Sequence, residues 1–235
     1  LRTSDVINAP YTIANGWRQI TGGRMRSEVW SGPGAISRTR MEELLSERGQ
    51  GWWNVTFNLF DSPAALDVRL ARIRDAFAQN LPDAAIEVRR WTKGQRQESW
   101  MRQEVSLAPL GVVDWGGNPG GHSDFGPIVA AVGDRAEEVY AIIERRFIEF
   151  GKDPWIGMFG ISGRALIFVA DMFYKRTDED DTARCRALFR QLCQDMTDIG
   201  VGLYRTHLHF MDDAVKMHQW GNAALPQFND RIKAA

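Results

Sequence analysis

The sequence is short of the residues that build disulfide frameworks and metal centres, with two cysteines and four histidines among 235 residues. Cys185 and Cys193 fall in one predicted helix, eight positions apart. That is about 12 Å along a helix axis, beyond disulfide reach. They read as small buried apolar residues, as in a reducing compartment. Charge of one sign is missing too: 29 Lys and Arg face 30 Asp and Glu, for a net charge of −1. A polyanion partner calls for a basic excess, so no nucleic-acid partner is expected. No apolar run nears the roughly 20 residues of a membrane span, and no charged-then-apolar leader opens the chain. A cytoplasmic setting follows, with a periplasmic one left open if a leader lies upstream. P-loop, G-x-S-x-G and H-E-x-x-H motifs do not occur. There is no initiator Met, and 227–235 reads as a helix without a stop signal, so the chain reads as a segment of something longer.

What is present is an ordinary globular composition, 44% hydrophobic and 25% charged, rich in rings: nine Trp, four Tyr and twelve Phe. Leu1–Pro10 reads as a strand-like entry. Ser37 caps a helix over 38–49 with apolar Met41, Leu44 and Leu45 and a terminal glycine. Residues 53–59 alternate as a strand with one buried face. Ser62-Pro63 starts a helix whose stripe is Leu66, Leu70, Ile73 and Phe77. Ala85–Trp91 alternates as a second strand, and 93–108 has no clear pattern. Leu110–Asp114 reads as a short strand running into the glycine-rich loop Gly116–Gly121. Strands are then expected over 125–132, 155–161, 165–173 and 201–210. Long helices are expected over 134–150 and over 177–199, the latter capped by Thr177, with short helices near 212–218 and 222–235.

This order is β-α-β followed by β-α-β-β-α-β, the second matching a ferredoxin-like split motif. The predicted fold class is α+β, a mostly antiparallel sheet with helices on one face, divided into two ferredoxin-like halves at about 50–110 and 110–210.

His122 follows the glycine loop, and glycines there would let backbone approach a flat ligand. The loop leads into a strand rather than a helix, so it is no phosphate cradle. Along 204–210, period two places Tyr204, Thr206 and Leu208 on one face and Arg205, His207 and His209 on the other. A face carrying an arginine and two histidines suits a polar ligand or another domain. His207 and His209 lack a well-placed third ligand, so no metal is expected.

Tyr204-Arg205-Thr206-His207-Leu208, Phe210-Met211-Asp212 and Phe228-Asn229 closely resemble the vanillyl-alcohol oxidase / p-cresol methylhydroxylase family of flavoproteins. Leu1-Arg2, Gly51-Trp52-Trp53-Asn54 and Asp114-Trp115 with its glycine loop resemble it in the same order. The resemblance spans essentially the whole chain. It implies the cap domain of an FAD-dependent enzyme whose FAD-binding domain lies outside this segment. Such an enzyme oxidises the benzylic position of para-substituted phenols, in aromatic catabolism. Tyr204 and Arg205 would hold the substrate phenolate. His122, five residues before Pro127, would carry the flavin covalently, with Arg205 and His207 as further cofactor contacts and Met158 and Trp155 in the substrate pocket. A pocket Glu upstream of the family's Asp-Trp pair has no counterpart in Leu107-Ala108-Pro109-Leu110, which bears on substrate scope. The segment alone is expected to be inactive. A homodimer and a cytochrome acceptor stay open, as do a hydroxy-acid or lactone substrate and a non-enzymatic ferredoxin-like module. One geometric demand follows: a regular strand sends Tyr204 and Arg205 to opposite faces. Their joint use requires a bulge, a twist or a long Arg205 side chain curling round the edge.

Overall fold

The computed structural model describes residues 11–20, 25–90 and 110–234. Six strands form one sheet: β1 (Tyr11–Asn15), β2 (Trp53–Phe57), β3 (Gly120–Ala130), β4 (Trp155–Ser162), β5 (Ala165–Lys175) and β6 (Gly202–Arg205). Their spatial order is β2-β1-β4-β5-β3-β6, and every neighbouring pair is antiparallel. The helices are α1 (Gly16–Ile20), α2 (Arg26–Val29), α3 (Arg38–Ser46), α4 (Pro63–Asn80), α5 (Gly133–Glu149), α6 (Glu179–Asp198), α7 (Met211–Lys216) and α8 (Trp220–Ala234). The fold is α+β, as expected, and β3-α5-β4-β5-α6-β6 is a split β-α-β arrangement. β1 and β2 extend it beyond β4.

Alternation along the central strands sorts the core. Phe125 and Val129 of β3, Ile156 and Met158 of β4, and Leu166, Phe168, Ala170 and Met172 of β5 are buried in the main cluster. They meet Val139, Ile143 and Phe147 of α5 and Leu188, Phe189, Leu192 and Met196 of α6. These helix residues recur at three- and four-residue steps, the stripe a sheet-packing helix requires. A second cluster gathers Trp17, Val29, Ile36, Met41, Leu44 and Leu45 with Trp115, Trp155 and Phe173. It covers one end of the opposite sheet face, because Trp155 and Phe173 alternate with residues of the main core.

Several local expectations are corrected. Residues 85–90 form no strand, and Ile86 and Val88 are exposed; alternation alone makes no strand where no sheet edge receives it. Trp91, Leu1–Pro10 and residues 93–108 lie outside the described residues. Leu110–Gly116 is a 3-10 helix rather than a strand. The helix expected from Thr177 is capped by Asp178, whose side chain accepts from the Asp181 N–H. β3 starts at Gly120, so His122 stands on a strand and not in a loop. The last strand ends at Arg205, and 208–210 turn into a 3-10 helix. The face assignment made for Thr206, His207, Leu208 and His209 therefore lapses beyond Arg205.

Candidate functional site

The sheet face opposite α5 and α6 carries a line of polar side chains across three strands. In the β3–β5 register His122 stands opposite Phe173, and Asp124 opposite Asp171. On the other side of β3, Gly126 pairs with Arg205 and Pro127 with Leu203. One step on β3 thus spans two on β6, and Tyr204 is the extra residue of a bulge. The cause is local: Pro127 has no N–H to give the ladder, and proline inside a sheet is tolerated at bulges. The bulge brings Tyr204 and Arg205 to one face. A Cβ on Gly126 would lie 3.5 Å from Tyr204 Cδ1, on the side where Arg205 Nη2 donates to Asp124 Oδ2 at 3.3 Å. The Arg205 guanidinium carbon is 5.4 Å from the Tyr204 ring centre. The geometric demand raised by the sequence is met by the bulge.

Two acids and an arginine that the sequence reading passed over complete this line. Arg18, from α1, donates to Asp171 Oδ2 at 2.6 Å. It can cross β4 because Gly157 has no side chain; a Cβ there would sit 3.1 Å from Arg18 Nε. Asp124 Oδ1 is buried without a hydrogen-bond partner and lies 3.6 Å from His122 Nε2. Burial pushes the Asp171 carboxyl up to about 8; Arg18 opposes the rise, and a hydrogen bond with Asp124 adds to it. The rise favours the neutral form of Asp171, which eases the repulsion that two carboxylates directly opposite across a ladder would suffer. His122, Asp124 and Asp171 offer ligand atoms within 4.8 Å of one another. The two arginines already compensate these acids, which makes the group an ion-pair network.

The face is open at this end: Tyr204 is 46% exposed, and the side chains of His122 and Arg205 are 44% and 57% exposed. The other expected site residues are placed less uniformly. Trp155 faces this side, buried in the second cluster, with the Arg18 guanidinium 5.8 Å from its ring centre. Met158 does not join them: it alternates to the helix-covered face and is packed in the main core. His207 caps the 3-10 turn, its Nδ1 accepting from the His209 N–H at 3.1 Å.

The glycine-rich loop has a different rationale from the one its composition suggests. A Cβ on Gly120 would meet Val113 O at 2.0 Å, and one on Gly116 would meet Tyr174 N at 2.5 Å. These glycines let the chain fold against itself, with Asp114 Oδ1 accepting from the Gly120 N–H at 2.7 Å. A cleft of about 270 Å³ opens elsewhere, beside Arg26, Lys152 and Asp181. Two of its cations are paired within it: Lys152 Nζ donates to Asp181 at 2.5 Å, and Arg26 Nε to Asp153 at 2.6 Å.

No protein-family model matches the chain. It is 25% identical over 217 residues to the 4-cresol dehydrogenase [hydroxylating] flavoprotein subunit of Pseudomonas putida, across 90% of this chain and 41% of that protein. Its fold matches a crystal structure of p-cresol methylhydroxylase with substrate bound (TM-score 0.80, 23% identity), covering 93% of this chain and 43% of that one. It also matches 4-ethylphenol oxidase from Gulosibacter chungangensis in an isoeugenol complex (TM-score 0.82, 22% identity), covering 98% of this chain and 45% of that one. The chain spans less than half the length of each of these proteins. It is homologous to a segment of the Pseudomonas putida protein and shares the fold of the matching segments of the two solved structures. Among the described residues, no helix is long and apolar enough to cross a membrane.

Proposed function

We propose, from this homology and from the open face, that the chain is the cap domain of an FAD-dependent enzyme oxidising the benzylic position of para-substituted phenols. One observation carries the reading: the β6 bulge sets a phenol hydroxyl donor and a guanidinium side by side on an exposed face, on the strand next to His122. In this reading Tyr204 and Arg205 bind the substrate oxygen and hold it as a phenolate. Each charge-assisted hydrogen bond to an oxyanion is worth roughly 1.5–3 kcal/mol, and a lowered phenol pKa costs about 1.4 kcal/mol per unit. The phenolate is the form from which loss of a benzylic hydride, giving a quinone methide, is easiest.

The residues on this face fit a flavin edge. His122 is exposed beside a buried carboxylate oxygen that has no other partner, an arrangement suited to a nucleophilic imidazole. His122 is the proposed point of covalent attachment, and Arg205 and His207 the proposed polar contacts. The flavin would supply the hydride acceptor, and the domain that binds the rest of FAD would come from outside this segment. Trp155, from the second cluster, would back the pocket beneath Arg18.

The test uses the full-length protein that carries this chain. Wild-type protein should stay yellow after acid denaturation, and its flavin spectrum should shift on adding a 4-alkylphenol. His122→Ala should release its flavin into the acid supernatant while still binding it reversibly. Acid-stable flavin in His122→Ala would remove this residue as the anchor, and a wild-type spectrum indifferent to phenols would remove the substrate class.

A further inference from the structure

We infer that Asp124 is the positioning residue that couples the phenolate clamp to the flavin anchor: braced against Asp171 and Arg18, it presents one carboxylate oxygen to Arg205 and the other to His122. The inference rests on the function proposed above. The brace is continuous. Arg18 leaves α1, crosses β4 over Gly157 and grips Asp171 on β5 at 2.6 Å. Asp171 stands directly across the ladder from Asp124 on β3. Asp124 Oδ2 then accepts from Arg205 Nη2 at 3.3 Å, while Oδ1 faces His122 Nε2 at 3.6 Å.

The arrangement is poor value as a stability device. Arg205 is 57% exposed, and solvent screens most of the attraction in an ion pair so placed. Two acids facing each other across a sheet need a compensating cation, here the half-buried Arg18, where a pair of apolar residues would need none. What the network does provide is direction. A long guanidinium on an edge strand has many rotamers, and a carboxylate fixed from below selects one of them. The same carboxylate can accept an N–H of the His122 ring, which fixes ring orientation as carboxylate partners of functional histidines do. The charged and titratable groups that bear on Asp124 are Arg18 from α1, His122 from its own strand, Asp171 from β5 and Arg205 from β6.

The experiment compares wild type, Asp124→Ala and Asp124→Asn in the full-length protein. It measures KM and kcat for a 4-alkylphenol, the acid-stable flavin fraction and the melting temperature. Asp124→Ala should raise KM about tenfold, the equivalent of one hydrogen bond to a charged group, with a smaller change in kcat and a reduced acid-stable flavin fraction. Asp124→Asn keeps an acceptor of the same shape and should recover part of both losses. If Asp124→Ala does not fold, Asp124→Asn decides alone, through a raised KM. Wild-type KM and flavin attachment in a folded variant, or a lower melting temperature with nothing else altered, would overturn the inference. Wild-type protein that holds no flavin and oxidises no phenol would overturn the proposed function and this inference with it. Normal wild-type activity beside unaltered Asp124 variants would overturn the inference alone.

Discussion

On β5, Phe168, Ala170 and Met172 are fully buried against the long helices, while Asp171 between them turns the other way to Arg18 and Asp124. On β3, Phe125 is fully buried in the same core, and its neighbour Asp124 contacts Arg205. The two faces of this sheet thus obey different rules although they share a backbone. The covered face is a close-packed apolar surface in which volume decides. The open face carries charge, exposure and a bulge, and what decides there is where a few polar atoms point. Alternation lets one strand hold its core with one set of residues and a polar network with the set in between.

The largest effect expected from breaking this division lies on the covered face. Phe189 meets the Phe125 ring edge-on at 5.3 Å and stacks on Phe210 at 3.8 Å. Phe189→Ala should lower unfolding free energy by about 3–5 kcal/mol, the usual cost of emptying a buried aromatic site. Denaturant unfolding followed by tryptophan fluorescence would measure it. If the faces are separable, the folded fraction should keep its affinity for 4-alkylphenols; a parallel loss of affinity would show that they are not.

The next effect lies on the open face and should spare stability. In the proposed reading, Arg205→Leu would leave Tyr204 as a single neutral donor to the phenolate. The expected loss is about 2–4 kcal/mol of transition-state stabilisation, or roughly 30- to 1000-fold in kcat/KM, with little change in melting temperature. Tyr204→Phe should cost less, because the guanidinium still neutralises the oxyanion. Normal turnover by a folded Arg205→Leu enzyme would take the clamp out of the mechanism. A variant that mainly loses thermal stability would place Arg205 among the structural ion pairs instead.

The covered face was the more legible of the two in the sequence. Val139, Ile143 and Phe147 on α5, and the alternation through β4 and β5, are repeated signals, and each repeat supports the others. The fold class followed from them. Elements read from alternation without a partner fared worse: 85–90 has the pattern of a strand and no sheet edge to join, and 110–114 winds into a 3-10 helix. The glycines of 116–121 suggest room for a ligand by composition, whereas Gly116 and Gly120 make room for the chain itself. On the open face, Tyr204 and Arg205 alone left a bulge, a twist and a curling Arg205 side chain equally open, and Pro127 one strand over is what selects the bulge. Asp124 and Asp171 were overlooked although both carry a signal. Asp124 sits two residues after His122 and so shares its face, and Asp171 is a lone acid in an otherwise apolar strand. Their pairing depends on the β3–β5 register, and Arg18 reaches Asp171 from 153 positions away in sequence. Periodicity carries no information about such long-range contacts.

The last effect sharpens the comparison most, because it is a stability effect arising on the open face. Burial raises the Asp171 carboxyl to about 8 in the folded protein, from about 4 in an unfolded chain. Between those values the folded state holds a proton that the unfolded state has released. By linkage, stability then falls as pH rises through that window, and the full penalty is present above it. Asp171→Asn cannot ionise, and it keeps a carbonyl oxygen for Arg18 and an N–H donor for Asp124. Melting temperatures taken from pH 4 to pH 9 should therefore show the variant gaining on wild type as pH rises, with the gain levelling off above about 8. Parallel curves would mean that Asp171 ionises equally in both states, and that the buried proton between β3 and β5 is not there.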